Sequence, residues 1–192
     1  MSPLFVSALT GFFVFSGVGG MSSTSLMTDK EVPQEPTYEV LESYTVSMTG
    51  YNAVPEQTDD TPFSTSIGAY TNPEIIVERS SDLGTKLPYG TVIRVSQVAP
   101  SRGCAYDLVE EFIGYRVVAD AMNARIRNQI DILFDKDDLV QAGTRKLNPA
   151  YALGYCKNNI KVEVVGKINT KKMPKTQAEL KALIGQSALA VK

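Results

Sequence analysis

The stretch Tyr115-Arg116-Val117-Val118-Ala119-Asp120-Ala121-Met122-Asn123-Ala124-Arg125-Ile126-Arg127-Asn128-Gln129-Ile130-Asp131-Ile132-Leu133-Phe134 decides the fold. Its two ends are β-branched and aromatic runs of strand length, joined by a short polar connection. Asp120 closes the first run. Asp131 sits inside the second, where aspartate is a poor strand former and an expensive ion to bury, so something must offset its cost. Working outward, similar runs recur. Tyr44, Val46 and Met48 alternate with Thr45, Ser47 and Thr49, and short β-rich segments follow at residues 75–77, 91–95 and 160–165. With the two ends of the opening stretch this makes six strands, with too few helices between them for a doubly wound sheet. The chain is therefore mainly β, a small barrel or sandwich. Leu87-Pro88-Tyr89-Gly90 supplies turn chemistry before the third strand.

Two helices are expected. Asp137 or Asp138 caps a short one running through Gln141 and stopped by Gly143. A C-terminal helical tail, residues 169–192, starts from a Thr176/Glu179 capping box and carries Leu180, Leu183 and Ile184 on one face. The lysines leading into it (Lys167, Lys171, Lys172, Lys175) read as a solvated linker, or more sharply as an attractor for an anionic envelope polymer. At the other end, residues 1–20 hold no charged side chain and include Phe12-Phe13-Val14-Phe15, which suggests a signal peptide or membrane anchor and hence an exported, cell-envelope protein; a buried N-terminal helix is the alternative. Residues 21–37 read as a linker rich in Ser, Thr, Glu and Pro, leaving 38–168 as the folded domain. Cys104 and Cys156 are disulfide candidates in an oxidising compartment, or else two buried thiols.

Composition restricts the chemistry. The 192 residues include no His and no Trp, with 21 acidic and 19 basic side chains for a net charge of −2. No imidazole is available as acid, base or metal ligand, so acid/base work falls to carboxylates. The absence of a basic excess argues against nucleic acid as a partner. No nucleotide, nucleophile or cofactor motif is present, and Asp135-Lys136-Asp137-Asp138 lacks the Gly and Glu of a calcium loop, so neither cofactor nor metal is expected. What remains is the pair Asp120 and Asp131. Side by side in one cleft, repulsion and burial would raise one pKa and leave an acid next to an ionised partner. Asn123, Arg125, Arg127 and Asn128 supply donors suited to sugar hydroxyls. The plainer reading is that Asp120 caps a turn and Asp131 pairs with one of those arginines.

Four motifs in order carry a resemblance: Gly50-Tyr51-Asn52 with Pro55-Glu56-Gln57-Thr58-Asp59-Asp60-Thr61-Pro62-Phe63; Asp82-Leu83-Gly84-Thr85-Lys86-Leu87-Pro88-Tyr89-Gly90-Thr91; Val118-Ala119-Asp120-Ala121-Met122-Asn123-Ala124-Arg125; and Asn128-Gln129-Ile130-Asp131-Ile132. Together they resemble the 3D (Asp-Asp-Asp) domain family, which is similar to the C-terminal part of membrane-bound lytic transglycosylase A. The resemblance covers roughly half the chain. It implies a six-stranded double-psi β-barrel and peptidoglycan glycan strands as partner. It further implies a lytic transglycosylase activity in which Asp131 is the catalytic acid, with Asp120 and Asp60 as the other family aspartates. Thr61, Tyr51, Asn123, Arg125 and Asn128 are then expected to bind substrate, and Tyr51, Phe63, Tyr70 and Tyr89 are candidates for sugar stacking. The chain departs from the family pattern at Ile67, at Glu78-Arg79-Ser80-Ser81, and over residues 98–112, an apparent insertion carrying Cys104. A non-catalytic glycan-binding barrel is the alternative expectation.

Overall fold

Every period-two run becomes a strand. In the computed structural model, which describes residues 38–58 and 62–190, the strands are β1 (Glu42–Asn52), β2 (Ile76–Arg79), β3 (Thr91–Gln97), β4 (Tyr115–Ala121), β5 (Gln129–Phe134), β6 (Val140–Ala142), β7 (Arg145–Leu147) and β8 (Cys156–Lys167). Six of them close a barrel in the order β1-β5-β2-β4-β3-β8. β1 runs parallel to β5 and β2 parallel to β4, while the four remaining contacts are antiparallel. This mixed ring is the expected small double-psi β-barrel. The segments read as signal or anchor (1–20) and linker (21–37) lie outside the described residues, as do Asp60 and Thr61.

Alternation along the strands sorts their apolar side chains into two clusters. On β5, Ile130, Ile132 and Phe134 join Val46, Met48, Val77 and Val118 in one. Leu133 points the other way, into a second cluster with Tyr51, Ile76 and Val117. Helices α1 (Tyr106–Ile113) and α2 (Pro149–Leu153) cover the first cluster; α3 (Gln177–Ala190) covers the second through Leu180 and Ile184. The α1 segment falls largely within the apparent insertion, and it earns its helix from a buried stripe at Tyr106, Val109 and Ile113. Asn148 caps α2 by accepting from the Ala150 N–H at 2.9 Å, and Pro149 occupies the first turn.

The expected capping box forms at α3. Thr176 Oγ1 accepts from the Glu179 N–H at 3.2 Å, while the Glu179 carboxylate accepts from Lys175 at 2.6 Å, one residue before the cap. Gln177 then docks the helix on β4, accepting from the Tyr115 N–H at 3.0 Å and donating to the Tyr115 carbonyl at 2.8 Å. Gly114 makes room: its φ is +56°, and a Cβ there would lie 2.6 Å from the Gln177 side chain.

One expected element is wrong. The helix predicted from Asp137 or Asp138 through Gln141 is a β-hairpin, β6 and β7, closed by Gly143-Thr144. Gly143, with φ +61°, supplies the positive φ that the first central position of a two-residue hairpin turn favours, a need as well met by glycine as a helix C-terminus. Cys104 and Cys156 form a disulfide that fixes the loop before α1 to the start of β8. Closing a 52-residue separation stabilises by about 4 kcal/mol on the chain-entropy account.

Candidate active site

Cross-strand register brings three carboxyl groups into one row. Asp131 on β5 is opposite Glu78 on β2, and Glu78 is opposite Asp120 on β4. The second match depends on a one-residue irregularity: Val77 pairs with Val118, and the register then slips so that Glu78 meets Asp120 and not Ala119. On its other side Asp131 is opposite Thr49 of β1. Adjacent strands lie about 4.8 Å apart, so the backbones bearing Asp120 and Asp131 are roughly 10 Å apart with Glu78 between them.

Asp131 lies on the strand face that carries Leu133. The residue is half-buried, but its Oδ1 is sealed from solvent and has no hydrogen-bond partner. Burial raises its pKa to about 7, against a smaller downward pull from a hydrogen bond with the Thr49 hydroxyl. Thr49 Oγ1 accepts from Gln129 Nε2 at 2.9 Å, which leaves the threonine proton to serve Asp131. The alternative pairing with an arginine is not found among the described residues. Arg127 donates to Ser81 Oγ at 3.2 Å and to the Ile126 carbonyl at 3.0 Å, and Arg125 folds onto Asn123 Oδ1.

Asp120 is satisfied differently. Its Oδ1 accepts from the Ala121 N–H at 2.8 Å and from the Ser66 N–H at 2.9 Å, the latter tying the 62–71 loop to β4. Beside it opens a polar cleft of about 610 Å³ whose lining includes Tyr51, Gln57, Ser66, Glu78, Asp120 and Asn123. Asp131 is not among the described lining residues, whereas Glu78 and Asp120, in register on the next two strands, are, and so is Tyr51 on β1 at its other side. Tyr51, 6% exposed, has its hydroxyl buried without a well-formed hydrogen bond. Desolvation, followed by the charge and proximity of Glu78, keeps this phenol protonated.

Of the expected binding residues, Tyr51 and Asn123 reach the cleft. Arg125 adjoins it through Asn123. Asn128 is used for architecture: at φ 46° it donates its N–H to the Asp82 carboxylate at 3.0 Å and its Nδ2 to Asn158 Oδ1 at 3.2 Å. Phe63 and Tyr70 are 63% and 69% exposed on the loop that forms one cleft wall. Tyr89 packs under the Arg79 guanidinium and hydrogen-bonds Ser66 Oγ at 3.0 Å.

Glu78 is the residue that sequence reasoning missed. The signal is present, since Glu78 ends an apolar strand run much as Asp131 interrupts one, but the same residue also opens a stretch that departs from the family pattern. Among the described residues no group of three His, Cys, Asp or Glu is arranged to hold a metal ion. No protein-family model matches this chain, and no curated protein matches it.

Proposed function

We propose that the protein is a peptidoglycan-cleaving glycosidase, acting as a lytic transglycosylase on the bond between N-acetylmuramic acid and N-acetylglucosamine. The observation that carries this reading is the Asp131 carboxyl, whose sealed oxygen and pKa of about 7 leave a large share of it protonated at neutral pH on a strand next to those that line a polar cleft. The four ordered sequence motifs supply the substrate class, and the disulfide agrees with an exported protein of the cell envelope.

In this mechanism protonated Asp131 donates to the leaving glycosidic oxygen as the bond from the muramoyl C1 breaks. The resulting carboxylate then takes the proton of the muramoyl C6 hydroxyl as that oxygen bonds to C1, closing a 1,6-anhydro ring without water. Asp131 is thereby returned to its acid form. Asp120 anchors the loop that walls the cleft, and Asn123 offers hydrogen bonds to sugar hydroxyls. Because the acid must be protonated to begin, cleavage falls as pH rises through about 7.

A second reading, a barrel that holds glycan strands without cutting them, is favoured by the absence of Asp131 from the described cleft lining. Incubation with purified peptidoglycan, with products read by mass spectrometry, separates the two. The enzyme yields anhydro-muramoyl ends that a folded Asp131→Asn variant does not. Equal glycan binding by both proteins with no released fragments refutes catalysis and leaves the binding module. New reducing ends instead of anhydro ends would mean hydrolysis.

A further inference from the structure

We propose that Glu78 is the charge partner of Asp131, a positioning residue that holds the proton on the acid and presents its own negative charge to the sugar in the cleft. The proposal deepens the glycosidase reading and rests on it for the identity of the sugar. It assigns to Glu78 the role that sequence alone offered to Asp120.

Three observations support it. Glu78 is the single residue whose register partners are both Asp120 and Asp131, and the slip after Val77 is what completes that alignment. It is also the member of the Asp131–Glu78 pair that lines the cleft, so a charge on it faces both the acid and the bound ligand. Finally, Tyr51 brings a buried hydroxyl, without a well-formed hydrogen bond of its own, to the same cleft wall within reach of the Glu78 carboxylate. Asp120 is one strand further from Asp131, and its Oδ1 is already engaged by two backbone N–H groups.

Among the described residues, the charged and titratable surroundings are few. From β1 comes Tyr51, from β4 Asp120 and from β5 Asp131. The neighbouring cation on β2, Arg79, is directed elsewhere, donating to the carbonyls of Leu87 at 2.9 Å and Ser80 at 3.3 Å and stacking on Tyr89. When Glu78 is ionised, its charge across the strand pair adds to burial in opposing ionisation of Asp131, and after the glycosidic bond breaks it faces the positive charge developing on the sugar ring.

Carboxyl-carbon NMR titration of the full chain tests this without any substrate. In the wild type, Glu78 and Asp131 are expected to titrate as a coupled pair, each resonance sensing both steps. In Glu78→Gln the Asp131 midpoint should fall by about one pH unit or more, while Glu78→Asp, which keeps the charge, should leave it near the wild-type value. Independent single-step curves in the wild type overturn the proposal even if the variants do not fold. So does an unchanged midpoint in folded Glu78→Gln, or an equal fall in both variants. With peptidoglycan, the high-pH limb of the cleavage profile should move down in step with the midpoint in Glu78→Gln. A coupled pair in a protein that releases no fragments would refute the glycosidase reading while leaving the pairing intact.

Discussion

Arg116 and Asp131 are two ionisable side chains on neighbouring parts of one barrel, and the fold treats them in opposite ways. Arg116, with no solvent exposure, sits in a shell of backbone carbonyls. It donates to Ile113 at 2.5 Å, Pro73 at 2.5 Å, Phe112 at 2.6 Å, Leu133 at 3.0 Å and Ile76 at 3.4 Å. Burial pushes its pKa down to about 9, which leaves it charged at neutral pH. Asp131 has far fewer partners: one threonine hydroxyl, and an oxygen with nothing to accept from. The cation fully solvated by the protein joins α1, the residues before β2, and β5, and so works as architecture. The carboxyl left short of donors holds a proton it would otherwise give up, which is a disposition toward chemistry.

That contrast is most severely tested by removing the cation. Arg116→Met strands carbonyls from several segments at once and should cost about 5 kcal/mol in urea unfolding, enough to leave little folded protein. A loss below about 2 kcal/mol would mean that the carbonyl shell relaxes easily and that Arg116 is no keystone. Next in size is the pH dependence that Asp131 imposes on stability. Its folded pKa of about 7 lies above the ordinary 3.8, so the folded state binds the proton more tightly. The corresponding stabilisation is complete below about pH 4 and is lost as pH rises through about 7. In full it amounts to roughly 4 kcal/mol, reduced to about 2 by partial solvent access. Unfolding curves of Asp131→Asn should therefore be flatter with pH, and the variant more stable than wild type at pH 8. A wild-type curve that rises between pH 5 and 8, with the rise abolished in the variant, would reverse the assignment.

The smallest effect compares the two aspartates. Asp120→Asn keeps an acceptor but loses the charge that holds the Ser66 N–H, and should cost about 1 kcal/mol. Hydrogen exchange at the Ser66 amide should accelerate while the amides of β5 keep their protection. Faster exchange throughout β5 would show instead that the row of carboxyls is a single cooperative unit.

The strands were legible because β-branched residues repeat with period two, and all six barrel strands overlap the runs identified from the sequence. Arg116 was not legible as a buried residue. Within Tyr115-Arg116-Val117-Val118 it reads as a side chain turned to water, and only the convergence of three segments creates its carbonyl shell. Gly143 was ambiguous for a local reason, because a hairpin turn and a helix end both use its positive φ. In the site, the cost of Asp131 within an apolar run was visible. Its nearest carboxyl partner across the strands was not, because the pairing with Glu78 depends on strands far apart in sequence and the match to Asp120 on a one-residue slip.

Ring order governs when this chain can fold as well as what it folds to. β1 is hydrogen-bonded to β5 on one side and β8 on the other, so Ser47 waits for Gln129 before its strand gains a first neighbour. At common synthesis rates that wait lasts roughly 5–15 seconds. During it a strand with one apolar face has both edges open, and pairing across so long a loop is slow once begun. The strand that ends the wait also delivers Asp131. The carboxyl with the raised pKa thus enters the structure only as the barrel begins to close, and a nascent chain that ends before β5 lacks it.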